Sequence, residues 1–90
     1  MVNSQEFINA SNVVKSLLGT PTNDEMGKLY GLYKQATVGD NNTPKPSLFD
    51  FKANKKYSHW NDYRGYTTYN SEVAYITLVN ELVQTYRLKG

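Results

Sequence analysis

The chain has 90 residues, no cysteine, and a formal net charge of +2 from ten basic and eight acidic residues. This length suits one domain, residues 1–90, and the absence of cysteine excludes disulfides and thiolate metal sites. The net charge is too small to indicate a nucleic-acid binder, in which basic residues usually concentrate in a stripe.

The first predicted helix begins close to the N-terminus. Residues 1–10 lack the basic start and long apolar run of a signal peptide or membrane span, so we expect a soluble protein without stable membrane insertion. The absence of cysteine fits a reduced, cytoplasmic setting. Ser4 or Asn3 is suited to cap this helix, and Gly19 with Pro21 is expected to end it. Its apolar residues follow the three- and four-residue spacing of a helix face. They are Phe7, Ala10, Val14 and Leu17.

The second helix is predicted over residues 23–38, after a capping box in which Thr22 precedes Glu25 by three residues. We interpret the acidic side chains here as helix-capping groups rather than catalytic acids. Gly27 and Gly31 each cost a helix about 1 kcal/mol relative to alanine. They therefore predict a close approach to this helix, either by another helix or by a ligand.

One face of this helix carries Tyr30, Tyr33 and Lys34, because residues three and four apart are neighbours on a helix. Two phenol rings beside an ammonium group can hold a flat, negatively charged ligand such as a nucleotide. The same residues also suit an ordinary amphipathic helix that ends in a solvated lysine.

A loop is predicted over residues 40–51, because two prolines separated by one residue exclude regular helix. Its apolar residues Leu48, Phe49 and Phe51 predict an ordered loop that is pinned by its own aromatic side chains. Four lysines in and after this loop predict a positive rim. They are Lys45, Lys52, Lys55 and Lys56.

The third helix is predicted from about residue 53 to residue 63. Its stripe of Tyr57 and Trp60, which extends to Tyr63 or Arg64, is either core or the floor of a ligand site. His59 is the single histidine of the chain, so it cannot form a histidine metal site or a catalytic triad by itself. We expect it at the surface.

The fourth helix is predicted to begin at Thr67 or Thr68 and to present a broad apolar face. We expect it to pair with the first helix. The predicted core of that pair is Phe7, Val14, Leu17, Ile76, Val79 and Leu82. No strand-like alternation interrupts this pattern, which predicts an all-α protein of four helices.

The segment from Tyr30 to Gly39, with the sequence Tyr-Gly-Leu-Tyr-Lys-Gln-Ala-Thr-Val-Gly, resembles the signature of the acyl-CoA-binding proteins. The resemblance continues without gaps from about Glu6 to Tyr86. Its further motifs are Asp50-Phe51-Lys52, Lys56-Tyr57 followed by Trp60-Asn61, and Ala74-Tyr75-Ile76.

The resemblance implies a four-helix up-down-down-up bundle that binds long-chain fatty acyl-CoA esters. It implies a monomeric, non-catalytic carrier in fatty acid metabolism, which transports and buffers these lipid ligands and meets acyl-CoA-using enzymes by transient contact. No cofactor and no nucleic-acid partner are expected.

The resemblance also implies residue roles. Tyr30, Lys34 and Lys56 match the positions that hold the 3′-phosphate, and Tyr33 and Tyr75 match those around adenine and ribose. Lys15 and Lys52 match positions that also contact the coenzyme, and Gly31 matches a position where the backbone approaches the ligand. The residues that match the walls around the acyl chain are Met26, Leu29 and Tyr57. The implied acyl-CoA site is Lys15, Met26, Leu29, Tyr30, Gly31, Leu32, Tyr33, Lys34, Lys52, Lys56 and Tyr75.

The chain departs from the family pattern at three places. Tyr57 replaces the common tryptophan but keeps an aromatic surface. Gly27 replaces a bulky apolar residue, which predicts a wider groove and a preference for longer or bulkier acyl chains. Ser71 and Glu72 replace more apolar residues, so the fourth helix is expected to begin less firmly.

Alternatives remain for the function and for single residues. The first alternative function is that of a small basic helical nucleic-acid-binding domain, which would bind phosphates through its lysines and stack bases on its tyrosines. A protein-interaction domain with an apolar patch for a partner helix is a further alternative. If Tyr75 is part of the core, its role is purely structural. If Lys52 is a solvated charge, it makes no contact with the ligand.

Overall fold

The computed structural model describes residues 3–89. Within this range the helices are α1 (Gln5–Val13), α2 (Asn23–Thr37), α3 (Phe51–Asn61) and α4 (Thr68–Tyr86), and a 3₁₀ turn, Val14–Ser16, follows α1. The described part of the chain has no helix with the length and apolar character needed to cross a membrane.

The helix starts follow the capping residues in the sequence. Ser4 caps α1 by accepting the Phe7 N–H at 3.2 Å, and Thr67 caps α4. The predicted capping box of α2 is confirmed, since Thr22 Oγ1 accepts the Glu25 N–H at 3.1 Å and Glu25 Oε1 accepts the Thr22 N–H at 2.9 Å. The bounds of α3 lie two residues earlier than predicted.

Contacts between helix ends give the directions of α1, α2 and α4. Asn3, just before α1, donates to Glu72 near the start of α4 at 2.7 Å, so α1 and α4 are parallel. The Tyr86 hydroxyl at the end of α4 donates to Glu25 at the start of α2 at 2.5 Å, so α2 runs antiparallel to them.

Contacts along α2 and α3 show that these two helices are parallel. Lys56 Nζ lies 5.6 Å from the Tyr30 ring centroid, and Lys34 Nζ lies 4.9 Å from the Trp60 ring centroid. The two contacts follow the same order along both helices. The predicted up-down-down-up arrangement is therefore confirmed.

The core draws on α1, α2 and α4. Its buried residues are Phe7, Ala10, Leu32, Ala36, Tyr75 and Val79. The predicted pairing of α1 with α4 is correct, although Val14 and Ile76 are only partly buried. The prediction missed the contribution of α2, whose Leu32 and Ala36 belong to the same buried cluster.

The first helix is shorter than its apolar spacing predicts. The α-helix ends at Val13, and Leu17 lies beyond it in extended backbone, where it pairs with Leu88 in an antiparallel bridge. The Leu18 N–H donates to the Arg87 carbonyl at 2.8 Å. Leu17 is buried as predicted, but pairing with the segment after α4 decides its backbone conformation.

The loop between α2 and α3 is ordered by polar groups, and the prediction that its aromatic side chains pin it is wrong. Asn41 is buried and its side chain accepts the Thr43 N–H at 3.0 Å. Trp60 Nε1 donates to the Gly39 carbonyl at 2.8 Å, and Asp40 accepts the Gly65 N–H at 2.8 Å. These bonds satisfy buried polar groups while the loop's apolar side chains stay in water.

The start of α4 is held more firmly than predicted. Ser71 and Glu72 are buried, and Glu72 Oε2 accepts hydrogen bonds from Asn3 Nδ2 and from the Ser4 N–H at 3.1 Å. Burial by itself would raise the pKa of Glu72, but these hydrogen bonds outweigh it, so the pKa lies below its ordinary value. The carboxylate thus joins α4 to the N-terminus of α1.

Candidate functional site

A cleft of about 420 Å³ lies between the N-terminal half of α2 and the length of α3 from Phe51 to His59. We call it the α2–α3 cleft. Its lining residues are Asn23, Met26, Gly27, Tyr30, Phe51, Lys52, Lys55, Lys56 and His59. This volume falls within the range of small-molecule sites in proteins.

The two glycines of α2 allow α3 to approach closely. A Cβ atom at Gly31 would collide with the His59 backbone carbonyl and would lie 2.8 Å from Tyr63 Cε2, and a Cβ atom at Gly27 would collide with the His59 imidazole. Of the two explanations that the sequence allows, close approach by another helix accounts for both glycines.

His59 departs from two expectations. Its ring inserts against Gly27 between the two helices and lines the α2–α3 cleft, so the side chain is half-buried and not free at the surface as expected. The imidazole also occupies the space that the missing side chain of Gly27 leaves. The prediction that Gly27 widens the cleft is therefore wrong, because His59 fills the gap.

Lysines surround the opening of the α2–α3 cleft. Lys52, Lys55 and Lys56 line it, and Lys56 Nζ lies 5.6 Å from the Tyr30 ring centroid. Both ion pairs formed among residues 3–89 involve other cations. The three ammonium groups are thus unmatched by a carboxylate within the described chain, which favours an anionic ligand at this rim.

A second hollow of about 280 Å³ lies on the other side of Tyr30, where α1, α2 and α4 meet. We call it the α1–α2 depression. It is lined by Ser11, Val14, Lys15, Leu29, Tyr30, Tyr33 and Tyr75. Because Tyr30 lines both hollows, a ligand that occupies both of them would pass over its ring.

Three aromatic rings support the α1–α2 depression from below. Phe7 stacks on Tyr33 with ring centroids 5.6 Å apart, and lies 5.0 Å from the ring centroid of Tyr75. Tyr75 is only 3% exposed, and burial followed by the charge of Tyr33 raises its pKa to about 12. Its hydroxyl is therefore protonated at neutral pH and can donate a hydrogen bond.

The remaining residues implied by the resemblance lie in different surroundings. Lys34 is partly buried with its ammonium group over the Trp60 ring. Leu29 lines the α1–α2 depression rather than the α2–α3 cleft, and Leu32 lies in the core. Tyr57 lines neither hollow.

The sequence predicted Lys55 as part of a positive rim, but it did not predict that Asn23, Phe51 and His59 line the α2–α3 cleft. Phe51, Lys55 and His59 follow one another at a spacing of four residues, which places them on one face of α3. This four-residue spacing is the signal by which the sequence indicates that the three side chains lie together. Trp60 itself is buried at 5% exposure, so its side is packed rather than a ligand floor.

Within residues 3–89, no group of three or more histidine, aspartate or glutamate side chains is placed to hold a metal ion. Four acidic side chains in this range accept backbone N–H groups. They are Glu25, Asp40, Asp50 and Glu72. The chemistry of the site is therefore that of lysines, phenols and apolar walls.

The geometry defines a small four-helix bundle with a lysine-rimmed cleft between two parallel helices. Its fold matches the crystal structure of an acyl-CoA-binding protein from Moniliophthora perniciosa with a TM-score of 0.88 at 29% identity, covering 98% of this chain and 87% of that one. For Oryza sativa Acyl-CoA-Binding Protein 2 the TM-score is 0.86 at 36% identity, covering 90% of each chain.

Sequence comparison gives the same answer. Acyl-CoA-binding protein homolog 1 of Caenorhabditis elegans is 46% identical over 80 residues, which cover 89% of this chain and 93% of that protein. The family model described as Acyl CoA binding protein matches residues 4–79. The chain belongs to the acyl-CoA-binding protein family, and the resemblance stated above is confirmed.

Proposed function

We propose that this chain binds long-chain fatty acyl-CoA esters and acts as an intracellular, cytoplasmic carrier and buffer of them without catalysing a reaction. The observation that carries the proposal is the α2–α3 cleft, which combines apolar walls with three lysines that have no carboxylate partner among residues 3–89. Family membership supports it, because a similar protein of Caenorhabditis elegans is named an acyl-CoA-binding protein homolog.

In this proposal the 3′-phosphate of the coenzyme binds near Tyr30, Lys34 and Lys56. The Lys56 ammonium group already lies beside the Tyr30 ring, and Lys34 is one helical turn from Tyr30. Hydrogen bonds between ammonium groups and phosphate oxygens are charge-assisted, so they are stronger than neutral ones. The Tyr30 hydroxyl would add one further donor.

The adenine and ribose would occupy the α1–α2 depression. Tyr33 is 40% exposed and offers a ring face for stacking. The hydroxyl of Tyr75 offers a neutral donor at the base of this hollow, and Lys15 supplies a cation at its edge. In this proposal the nucleotide lies on one side of Tyr30 and the acyl chain on the other.

The acyl chain would follow the α2–α3 cleft, with Met26 and Phe51 as its apolar walls and Lys52 at the rim. Each buried methylene contributes about 0.8 kcal/mol. Affinity should therefore rise with chain length until the cleft is filled. Three other residues implied by the resemblance do not line this cleft. Leu29 lines the α1–α2 depression, Gly31 packs against α3 and Leu32 lies in the core.

The carrier is proposed to be a monomer that meets acyl-CoA-using enzymes by transient contact. The alternatives, a nucleic-acid-binding domain and a protein-interaction domain, receive no support from the family match. A simple distinction is salt dependence, because nucleic-acid affinity falls steeply with salt and ignores an acyl chain.

Calorimetric titration with palmitoyl-CoA, coenzyme A and palmitate in parallel tests the proposal. The intact ester should bind far more tightly than either fragment, because only the ester engages both the lysine rim and the apolar walls. Equal binding of ester and coenzyme A would remove the acyl cleft from the proposal. Absence of binding for all three would overturn it.

Variants test the phosphate contacts separately. Tyr30→Phe and Lys56→Met should each weaken palmitoyl-CoA binding by about tenfold or more, the usual loss for a hydrogen bond to a charged group. Lys28→Met is the matched control, because Lys28 is an exposed lysine of α2 that pairs with Asp24 and lies outside both hollows. Far-UV circular dichroism should show unchanged helix content, and parent-like binding by both test variants would contradict the assignment.

A further inference from the structure

The loop before α3 holds three apolar side chains in water. Leu48, Phe49 and Phe51, which we call the apolar tip, are 74%, 87% and 75% exposed. Leu48 and Phe51 line the same shallow hollow, so their side chains are neighbours. Single exposed apolar residues are ordinary, but an adjacent group of them marks an interaction surface.

The backbone under the apolar tip is held by hydrogen bonds. The Ser47 carbonyl accepts the Asp50 N–H at 3.0 Å and Asn54 Nδ2 at 2.6 Å, and Ser47 Oγ accepts the Phe49 N–H at 3.3 Å. Asp50 also caps α3 through the Ala53 N–H. A defined turn therefore presents the apolar side chains outward, without needing their burial.

The charge around the apolar tip is positive. Lys45, Lys52 and Lys55 are exposed and flank it in sequence. The acid between them is Asp50, whose carboxylate accepts the Ala53 N–H at 3.1 Å. An apolar centre with a rim of lysines is complementary to a bilayer that carries anionic headgroups.

An acyl chain in the α2–α3 cleft does not account for this surface. Phe51 lines that cleft, whereas Leu48 and Phe49 do not. Phe49 is the most exposed of the three and also lies outside the shallow hollow that Leu48 and Phe51 share. Phe49 therefore has no contact that the proposed ligand would explain.

We propose that the apolar tip docks the protein reversibly on the surface of an anionic lipid bilayer. Leu48, Phe49 and Phe51 enter the boundary between headgroups and acyl chains, while the neighbouring lysines face the anionic headgroups. Because Phe51 also lines the α2–α3 cleft, docking brings the mouth of the cleft to the membrane surface. This inference goes beyond acyl-CoA binding and requires no bound ligand.

Vesicle flotation with the ligand-free full chain tests the proposal. The parent protein should float with phosphatidylcholine vesicles that contain phosphatidylserine and far less with phosphatidylcholine alone, and added salt should weaken the binding. Phe49→Ser should lower the vesicle-bound to free ratio by about tenfold or more, because it removes a large apolar group from the interface.

Tyr69→Ser provides the matched control, since Tyr69 is an aromatic residue that is 73% exposed on α4 and lies outside the apolar tip. It should float like the parent. Palmitoyl-CoA titration of Phe49→Ser in solution should give the parent affinity, which separates this proposal from that of the ligand site. Parent-like flotation of Phe49→Ser, equal loss in Tyr69→Ser, or absence of parent binding to either vesicle would overturn the docking proposal.

Discussion

At the scale of single residues, Glu72 shows how a buried charge is used in this fold. It is only 7% exposed, yet its carboxylate accepts hydrogen bonds from Asn3 and from the Ser4 N–H. If the carboxylate is removed, its buried donors are left without an acceptor. The free energy lost in this way is larger than the net contribution of the hydrogen bonds themselves.

Glu72→Gln should lower the free energy of unfolding at about pH 7 by about 1–3 kcal/mol, because it replaces a charged acceptor by a neutral amide. The folded-state pKa lies below the ordinary 4.5, so the stabilisation is present above that value and is lost as pH falls through the lowered pKa. The difference between parent and variant in urea unfolding should therefore shrink in acid. Glu81→Gln, on an exposed residue of α4, is the control, and a difference independent of pH would contradict the role of the charge.

At the scale of elements, the contact between α2 and α3 positions the cleft. Gly27 and Gly31 let the backbone of α3 approach near His59. Beside this contact the same two helices leave the α2–α3 cleft open. The loss in helix propensity that two glycines bring to α2 is the cost of this close approach.

Gly31→Ala should destabilise the protein by about 1–3 kcal/mol, even though alanine is the better helix former, because the added Cβ meets a backbone carbonyl that cannot turn away. Gly27→Ala should cost less, since the imidazole of His59 can rotate. Urea unfolding of the two variants measures both costs. An equal or reversed order would contradict the packing argument.

At the scale of the whole molecule, the proposed ligand would contact α1, α2, α3 and α4 at once. The α1–α2 depression joins residues of α1, α2 and α4, and the α2–α3 cleft adds α3. A ligand that binds only the folded arrangement stabilises it by mass action. Global stability is therefore a readout of binding.

Palmitoyl-CoA at a free concentration of about one hundred times its Kd should stabilise the fold by about 2.7 kcal/mol. In a domain of this size each kcal/mol raises the melting temperature by about 4–8 °C. Palmitate and coenzyme A at the same concentration should raise it less, which differential scanning calorimetry measures. Equal shifts with all three compounds would contradict a site that spans both hollows.

The features that were predicted correctly depend on short-range interactions. Thr22 and Glu25 are three residues apart, so their capping box is readable from the sequence. Gly39 ends α2 with a φ of 99°, a backbone conformation that glycine adopts at low cost. The motif from Tyr30 to Gly39 identified the family for the same reason, because it is contiguous. The implied ligand contacts stay predictions.

The sequence by itself determined four helices, the capping residues of α1, α2 and α4, and the family, because helix periodicity and capping are decided within a few residues. Only the tertiary structure decided that His59 fills the space beside Gly27, that Glu72 binds the N-terminal end of α1, and that Phe49 stays in water. The first two outcomes depend on contacts between residues that are distant in the chain. The third depends on the absence of any element packed over Phe49 within the described residues. Local spacing carries no information about either, because burial is a property of the packed molecule.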